Sequence, residues 1–474
     1  MENQQATPKI AFNAIFELTE TYFQIASELG PAAECFYICP DSMTKERLLS
    51  YGVPPQKVLD LSITRKEIKA LPPPNPQDHV LALEIEKHGP SFPSMILMSS
   101  RFYRLEDSRY LYRYLVRSAA RVEAFVRANN ISWLFSEPTT APEILSYSVA
   151  AKLRIKAANI AGVRHPVGRL GLFGGIDESR LYPLAPLQGD ITRGSLAAWL
   201  DSFRRRGETT ITFNSQLRHR TPLSLMTSVL KRTGLAFREL TGTSQLNYTN
   251  FPVQAEIFSR RYRNAWRTYD PDFTGAVFNG DDRPYAVYFL HVQPERTVDV
   301  MSPHNSNQLE LIRQLRMILP SSIKLAVKEH PSSYGIQPPD FYRGLAKIPD
   351  VSLVSPYADT RGMLKAALFS ITITGTVGME SALLDTPAVV LSRVFFSSMP
   401  NVFRLEAPSG LKEVLPDILS HRKGASDEKL LDYMYTLVRD SHPCDWTTLG
   451  GWQNEKTIQQ ITSLIKRALA AGNN

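Results

Sequence analysis

Three short stretches in the second half of the chain gather side chains able to hold or move charge. His291-Val292-Gln293-Pro294-Glu295-Arg296-Thr297 places an imidazole, an amide, a carboxylate and a guanidinium directly behind an apolar run. Lys328-Glu329-His330-Pro331 sets an ammonium and an imidazole ahead of a proline, which fixes its own φ and has no N–H to give. Thr374-Gly375-Thr376-Val377-Gly378-Met379-Glu380 ends a β-branched run at a glycine and opens a helix almost at once. Amides at a helix start, joined by the Thr374 and Thr376 hydroxyls, make a ready anion site, and Gly375 and Gly378 allow close approach. Glu380 lies one turn further in, where a carboxylate accepts from ribose hydroxyls but repels a phosphate. The stretch matches neither Gly-x-x-x-x-Gly-Lys-Ser/Thr nor Gly-x-Gly-x-x-Gly, so NTPase and dinucleotide-dehydrogenase readings lose support. Together the three stretches predict one pocket for a phosphate-bearing nucleotide.

The first half offers fewer candidates. Glu137, in Ser136-Glu137-Pro138-Thr139-Thr140, follows a strand end and is expected to point into a cleft, as a base for an acceptor hydroxyl or as a nucleophile. Arg164, His165 and Arg169 fall on a glycine-rich stretch from Gly162 to Gly175, read as a loop, and could complement a substrate carboxylate or phosphate. Cys35, Cys39 and Cys444 have no second pair or His cluster at zinc spacing. No metal site is expected.

Parallel sheets hold ligands beyond the carboxyl ends of their strands, so the spacing of elements decides whether these residues meet. The first third alternates strands (Lys9–Ala14, Glu34–Cys39, Lys57–Leu61, Ser132–Ser136, Lys156–Ile160) with helical segments. A second alternation starts at Tyr285–His291 and continues through Ile323–Lys328, Val351–Val354, Leu368–Thr374 and Pro387–Leu391. Two α/β halves follow. The expected division is a doubly wound α/β domain over 1–275 with a basic helical segment near 188–267, a second over 276–440, and a helical tail over 441–474.

With 474 residues, 43% hydrophobic and 21% charged, the chain can build two cores, which excludes a disordered or low-complexity protein. Its closest approach to a membrane span, Ala366 to Leu384, is broken by threonines, glycines and Glu380. The start, Met1-Glu2-Asn3-Gln4-Gln5, lacks a basic, then apolar, signal pattern, and few cysteines fit a reducing, cytoplasmic compartment. The formal charge of +8 is concentrated: from Arg204 to Arg267 there are twelve Lys/Arg against Glu208, Glu239 and Glu256. That segment could hold the protein peripherally at the inner face of a membrane. No nucleic-acid motif accompanies it.

Tyr288-Phe289-Leu290-His291-Val292-Gln293-Pro294-Glu295, Val327-Lys328-Glu329-His330-Pro331 and Ile373-Thr374-Gly375-Thr376-Val377-Gly378-Met379-Glu380-Ser381-Ala382-Leu383-Leu384 resemble the capsule and surface-polysaccharide biosynthesis proteins. These look like nucleotide-sugar-dependent glycosyltransferases of the GT-B architecture. The likeness is strong over about residues 284–392 and weak before them. It implies two Rossmann-like domains facing across a cleft, a helical C-terminal tail, and metal-independent transfer of a sugar to a capsule or surface polysaccharide, with no cofactor beyond the nucleotide-sugar substrate. The His-Pro pair is similar to that of transferases using CMP-linked acidic sugars, of the Kdo and sialic acid type. The resemblance implies a donor site of His291, Gln293, Lys328, His330, Pro331, Thr374, Gly375, Thr376 and Glu380. His330 would lie on the phosphate or cytidine and Glu380 on the ribose. No acidic-acidic-Gly motif marks the first domain, which leaves Glu137, Glu295 and His330 as catalytic candidates and Arg164, His165 and Arg169 for substrate. The acceptor would be a glycan or lipid-linked glycan, not nucleic acid. Rival readings are a non-hydrolysing UDP-sugar 2-epimerase, which Ser392-Arg393 resembles, and a non-catalytic scaffold of polysaccharide assembly.

Overall fold

Fully buried parallel strands need apolar residues on both faces, and the chain supplies them in short runs. The computed structural model describes residues 7–15, 18–89, 94–99, 108–187, 191–208, 283–293, 295–331, 337–424, 426–446 and 453–471. In its first half, β1 (Lys9–Asn13), β2 (Glu34–Cys39), β3 (Val58–Asp60), β4 (Trp133–Phe135) and β5 (Lys156–Gly162) pair in parallel in the order β5-β4-β1-β2-β3. The helices between them start on local signals. Asp41 accepts from the Thr44 N–H at 2.8 Å, and Thr64/Glu67 and Asn75/Asp78 form reciprocal capping boxes.

The glycine-rich stretch is not a loop throughout. Arg169–Gly174 is a buried strand, β6, antiparallel to β5, and β7 (Arg180–Leu181) pairs with it in turn. Glycine suits this strand because neighbours fill the space a Cβ would take: it would fall 2.5 Å from Leu181 Cδ1 at Gly171 and 2.8 Å from Tyr182 Cε2 at Gly174.

The second sheet is parallel throughout: β8 (Tyr285–Phe289), β9 (Lys324–Lys328), β10 (Val351–Val354), β11 (Phe369–Thr372), β12 (Ala388–Val390) and β13 (Val402–Arg404), in the order β10-β9-β8-β11-β12-β13. The strand order reverses between β8 and β11, whose carboxyl ends carry His291 and the Thr374 stretch. A ligand crevice belongs at such a switch point. The architecture is therefore α/β, with two Rossmann-like sheets facing across a cleft.

The end of the chain returns to the first sheet. β14 (His442–Pro443) pairs antiparallel with β6, and helix Glu455–Ala471 buries Ile458, Ile461 and Leu464 in the same core as Ile25 and Leu29 of helix Leu18–Leu29. Helix Arg193–Arg206 joins the halves: Leu196, Leu200 and Phe203 share one apolar cluster with Met379, Leu383 and Met434 of the second.

Of the basic segment, only residues up to Glu208 are described; 209–282, which include the expected 275/276 boundary, lie outside the described residues. Arg204 is turned inward and clamps Asp427 through both terminal nitrogens, at 2.8 and 2.6 Å. Among the described residues no helix is long and apolar enough to cross a membrane.

Candidate functional site

A cavity of about 760 Å³ lies between the sheets, a size suited to a nucleotide-sized ligand. His291, Lys328, His330, Pro331, Thr374, Gly375, Thr376 and Glu380 line it from the second sheet, with Glu295; Arg164 and Arg169 line it from the first. The three strand-end stretches thus converge on one space.

Their internal bonds decide which groups are left for a ligand. Gln308, on helix Gln308–Ile318, holds the His291 backbone at both ends: Oε1 accepts its N–H at 2.9 Å and Nε2 donates to its carbonyl at 3.1 Å. Gln308 Nε2 also donates to Gln293 Oε1, while Gln293 Nε2 donates to Asp299. Gln293 is therefore committed within its loop and does not line the cavity, contrary to the expectation that it meets the donor. The Thr374 N–H donates to His291 Nε2 at 3.2 Å. A backbone N–H can only donate, so Nε2 is unprotonated. Burial, helped by the neighbouring His330, pushes the His291 imidazole down to about 3. His291 is a neutral brace between two loops.

The Thr374 hydroxyl donates to the Thr297 carbonyl at 2.9 Å, and the Gly375 N–H donates to Thr372 Oγ1 at 3.1 Å. What remains for an anion is the pair of amides at Thr376 and Val377, opening helix Val377–Leu383, with the Thr376 hydroxyl. The glycines serve internal packing rather than ligand approach. A Cβ on Gly375 would lie 2.6 Å from Thr372 Oγ1 and one on Gly378 would touch Thr372, Phe396 and Val390 at 3.1–3.2 Å.

Lys328 is buried at the end of β9, and its Nζ donates to the Pro356 carbonyl at 2.8 Å. Burial pushes its ammonium down to about 8. Burial and then the Lys328 charge also lower the His330 imidazole, which favours its neutral form at pH 7. Glu295 is half-buried at the rim, with Oε2 accepting from the Thr297 hydroxyl at 2.6 Å.

From the first sheet, Arg164 brings the cation with the fewest ties. It is half-buried, its backbone sits at φ 71°, and among the described residues no carboxylate reaches ion-pair distance of it, although Glu178 feels its charge. A left-handed arginine costs roughly 1–2 kcal/mol and is retained where something else requires that direction. Arg169 is spent on structure: Nε donates to Ser441 Oγ at 2.7 Å and Nη2 to the Val438 carbonyl at 2.9 Å. His165 is wholly buried and does not line the cavity, so it cannot touch substrate as expected. Glu137 also falls short. It is half-buried near the Arg296 guanidinium but outside the cavity lining.

Arg296 and Glu178 also line the cavity and had no place among the expected site residues. Arg296 Nη1 meets Glu178 Oε1 at 2.9 Å, and both are buried. Asn159 donates to the same Glu178 oxygen at 2.5 Å, and Arg296 Nε reaches the Pro138 carbonyl at 3.1 Å. Arg296 was visible in its stretch; Glu178, 118 residues earlier, carries no local signal. Among the described residues no group of three His, Cys, Asp or Glu is placed to hold a metal. The acid pair Asp270-Pro271-Asp272, which the metal-free expectation passed over, lies outside them.

No family model and no curated protein matches the chain. Among solved structures it is similar to a UDP-GlcNAc 2-epimerase of Methanocaldococcus jannaschii in complex with UDP-GlcNAc and UDP, at 13% identity and TM-score 0.29 over 96% of this chain and 98% of that one. It is also similar to a β-Kdo 2,7-transferase of Thermosulfurimonas dismutans, at 11% identity and TM-score 0.33 over 73% of this chain and 88% of that one. A third is the UDP co-structure of MnaA from S. aureus, at 11% identity and TM-score 0.28 over 98% and 96%. At this distance these likenesses say nothing of this chain's substrate.

Proposed function

We propose that this protein is a glycosyltransferase, moving a sugar from a nucleotide donor held by the second sheet to an acceptor hydroxyl entering from the first. The observation that carries this reading is the joining, in one inter-sheet cavity, of anion-holding groups with a rim carboxylate. The Thr376 and Val377 amides, the His330 ring and Arg164 surround the place where a leaving phosphate would gather charge. Arg164 supplies a permanent charge there, whereas His330 acts at neutral pH as a hydrogen-bonding ring rather than a cation. Glu295, rather than Glu137, is the carboxylate we assign to the acceptor proton, because it lines the cavity. The finer reading is a CMP-linked acidic sugar placed on a capsule or surface polysaccharide, by a cytoplasmic protein at the inner face of the membrane. It rests on the sequence resemblance.

The first test is thermal stabilisation by CMP, UDP, GDP and CDP, since a ligand that binds the folded state raises its midpoint. One nucleotide should raise the midpoint by several degrees, and Arg164→Ala should weaken it roughly 10–100-fold, the range of a charge-assisted hydrogen bond. No shift with any of the four removes the proposal. A sugar nucleotide isomerised without acceptor would transfer the site to an epimerase.

A further inference from the structure

His165 is fully buried, yet its ring lies between two carboxylates. Nδ1 is 2.9 Å from Glu208 Oε2, and Nε2 is 3.8 Å from Glu380 Oε1 with no hydrogen-bond partner of its own. Glu208 is fixed by two further donors, the Val167 N–H at 3.1 Å on Oε2 and the Trp199 Nε1–H at 3.3 Å on Oε1. With both oxygens engaged as acceptors, it holds the proton of His165 on Nδ1. Phe203, on helix Arg193–Arg206, closes one side of the ring edge-on at 5.0 Å. Glu380 differs from Glu208. It lines the cavity, its side chain is 29% exposed, and among the described residues no donor binds it within hydrogen-bond distance. The two oppositely placed carboxylates are thus a fixed one behind the wall and an adjustable one on it.

We propose that His165, anchored by Glu208, is a positioning residue that reaches from the first lobe to orient Glu380 toward the sugar diol of the nucleotide. The proposal rests on the nucleotide reading given above. The gap between Nε2 and Oε1 exceeds a hydrogen bond by about 1 Å, which a small turn of the Glu380 side chain closes. With the ring as an imidazolium, protonated on both nitrogens between its two carboxylates, one Glu380 oxygen accepts from the Nε2–H and the other faces the cavity as an oriented acceptor for vicinal hydroxyls. Without His165, a carboxylate at the rim samples several rotamers and must be ordered at the cost of binding. The ionisable groups around the ring agree with this role. Burial opposes its charge, but Glu208 and Glu380 together outweigh burial and raise its imidazole above the ordinary value. Arg164 is its neighbour along the chain. The donor site is then complete only when both lobes contribute.

The experiment has two arms on the full chain. In the first, histidine-labelled protein is titrated by NMR without ligand, with His165→Gln identifying the signal among the nine histidines. Glu380→Gln should lower the His165 midpoint by about one pH unit, the size of a carboxylate contact. An unmoved midpoint overturns the positioning role. In the second, affinity is measured for CMP and UDP and for their 2′,3′-dideoxy counterparts. His165→Gln and Glu380→Gln should each weaken the ribonucleotide about tenfold, with little further loss in the double variant, while the dideoxy form binds all variants alike. Equal losses for both sugars, or none, overturn the proposal. If the native chain binds neither nucleotide while Glu380→Gln still moves the midpoint, the nucleotide reading has failed and the diol role falls with it. If His165→Gln does not fold, Glu208→Gln keeps the ring, loosens its anchor and must show the same ribose-selective loss.

Discussion

A single added methyl group at Gly375 tests whether the loops of the site are braced as tightly as their bonds indicate. Its Cβ would stand 2.6 Å from the hydroxyl of Thr372 and 3.3 Å from His291 Nε2. Those atoms accept the N–H groups of Gly375 and Thr374, so neither can retreat without breaking a bond that fixes the loop. Overpacking of this kind costs roughly 1–3 kcal/mol. Gly375→Ala should therefore lower the thermal midpoint modestly and reduce nucleotide affinity at least tenfold, because the amides of Thr376 and Val377 move with the loop. Unchanged affinity would mean that the turn yields freely and that the brace through His291 has no part in binding.

Among the described elements, helix Arg193–Arg206 packs against residues of both lobes. Its last carbonyls, at Phe203 and Arg204, both accept from Arg361 Nη2 at 2.6 Å, and the guanidinium lies over the Phe203 ring at 5.5 Å. Such a cap satisfies the Arg204 carbonyl, adds a second donor to the Phe203 carbonyl that already accepts from the Gly207 N–H, and complements the negative end of the helix. Arg361→Ala should cost about 1–2 kcal/mol and speed amide exchange over residues 193–206, and Arg361→Lys should rescue little, because only a planar guanidinium both stacks and forks. Retained protection in both variants would show that Leu196, Leu200 and Phe203 hold the helix without a cap. Legibility also divides at this scale. β1, β2, β8 and β9 were readable because each is a local apolar run, and the strand-end residues that follow them came with the strands. β6 reads as loop in the sequence because its glycines answer to Leu181 and Tyr182 rather than to turn geometry. β7 and β14, two residues each, leave almost no pattern. For the same reason the sequence carries no sign of the Glu178–Arg296 and Glu208–His165 pairings: the partners lie far apart along the chain, and no spacing records them.

At the level of the whole molecule, the lobes meet through a buried charge pair, and its behaviour in acid should reveal how much of their closure depends on it. Arg296 reaches from the second lobe to Glu178, Pro138 and Ile176 of the first, with Asn159 sharing the Glu178 oxygen. Burial alone would raise the Glu178 carboxyl, but Arg296 and Arg164 outweigh it and hold the group below its ordinary value. A carboxylate depressed on folding stabilises the native state above its unfolded pKa, and that contribution disappears as pH falls through the folded value. Removing one partner leaves a buried charge uncompensated, which typically costs about 3–5 kcal/mol, whereas replacing both with apolar residues of similar size is often neutral. Glu178→Ala should thus lower the unfolding midpoint sharply at pH 7 and widen the particle in small-angle scattering. Glu178→Leu combined with Arg296→Met should recover most of the stability and lose this part of the acid sensitivity. If the single and paired substitutions cost the same at pH 7, the contact is not coupled, and the lobes are held instead by the apolar cluster around Phe203 and Met379.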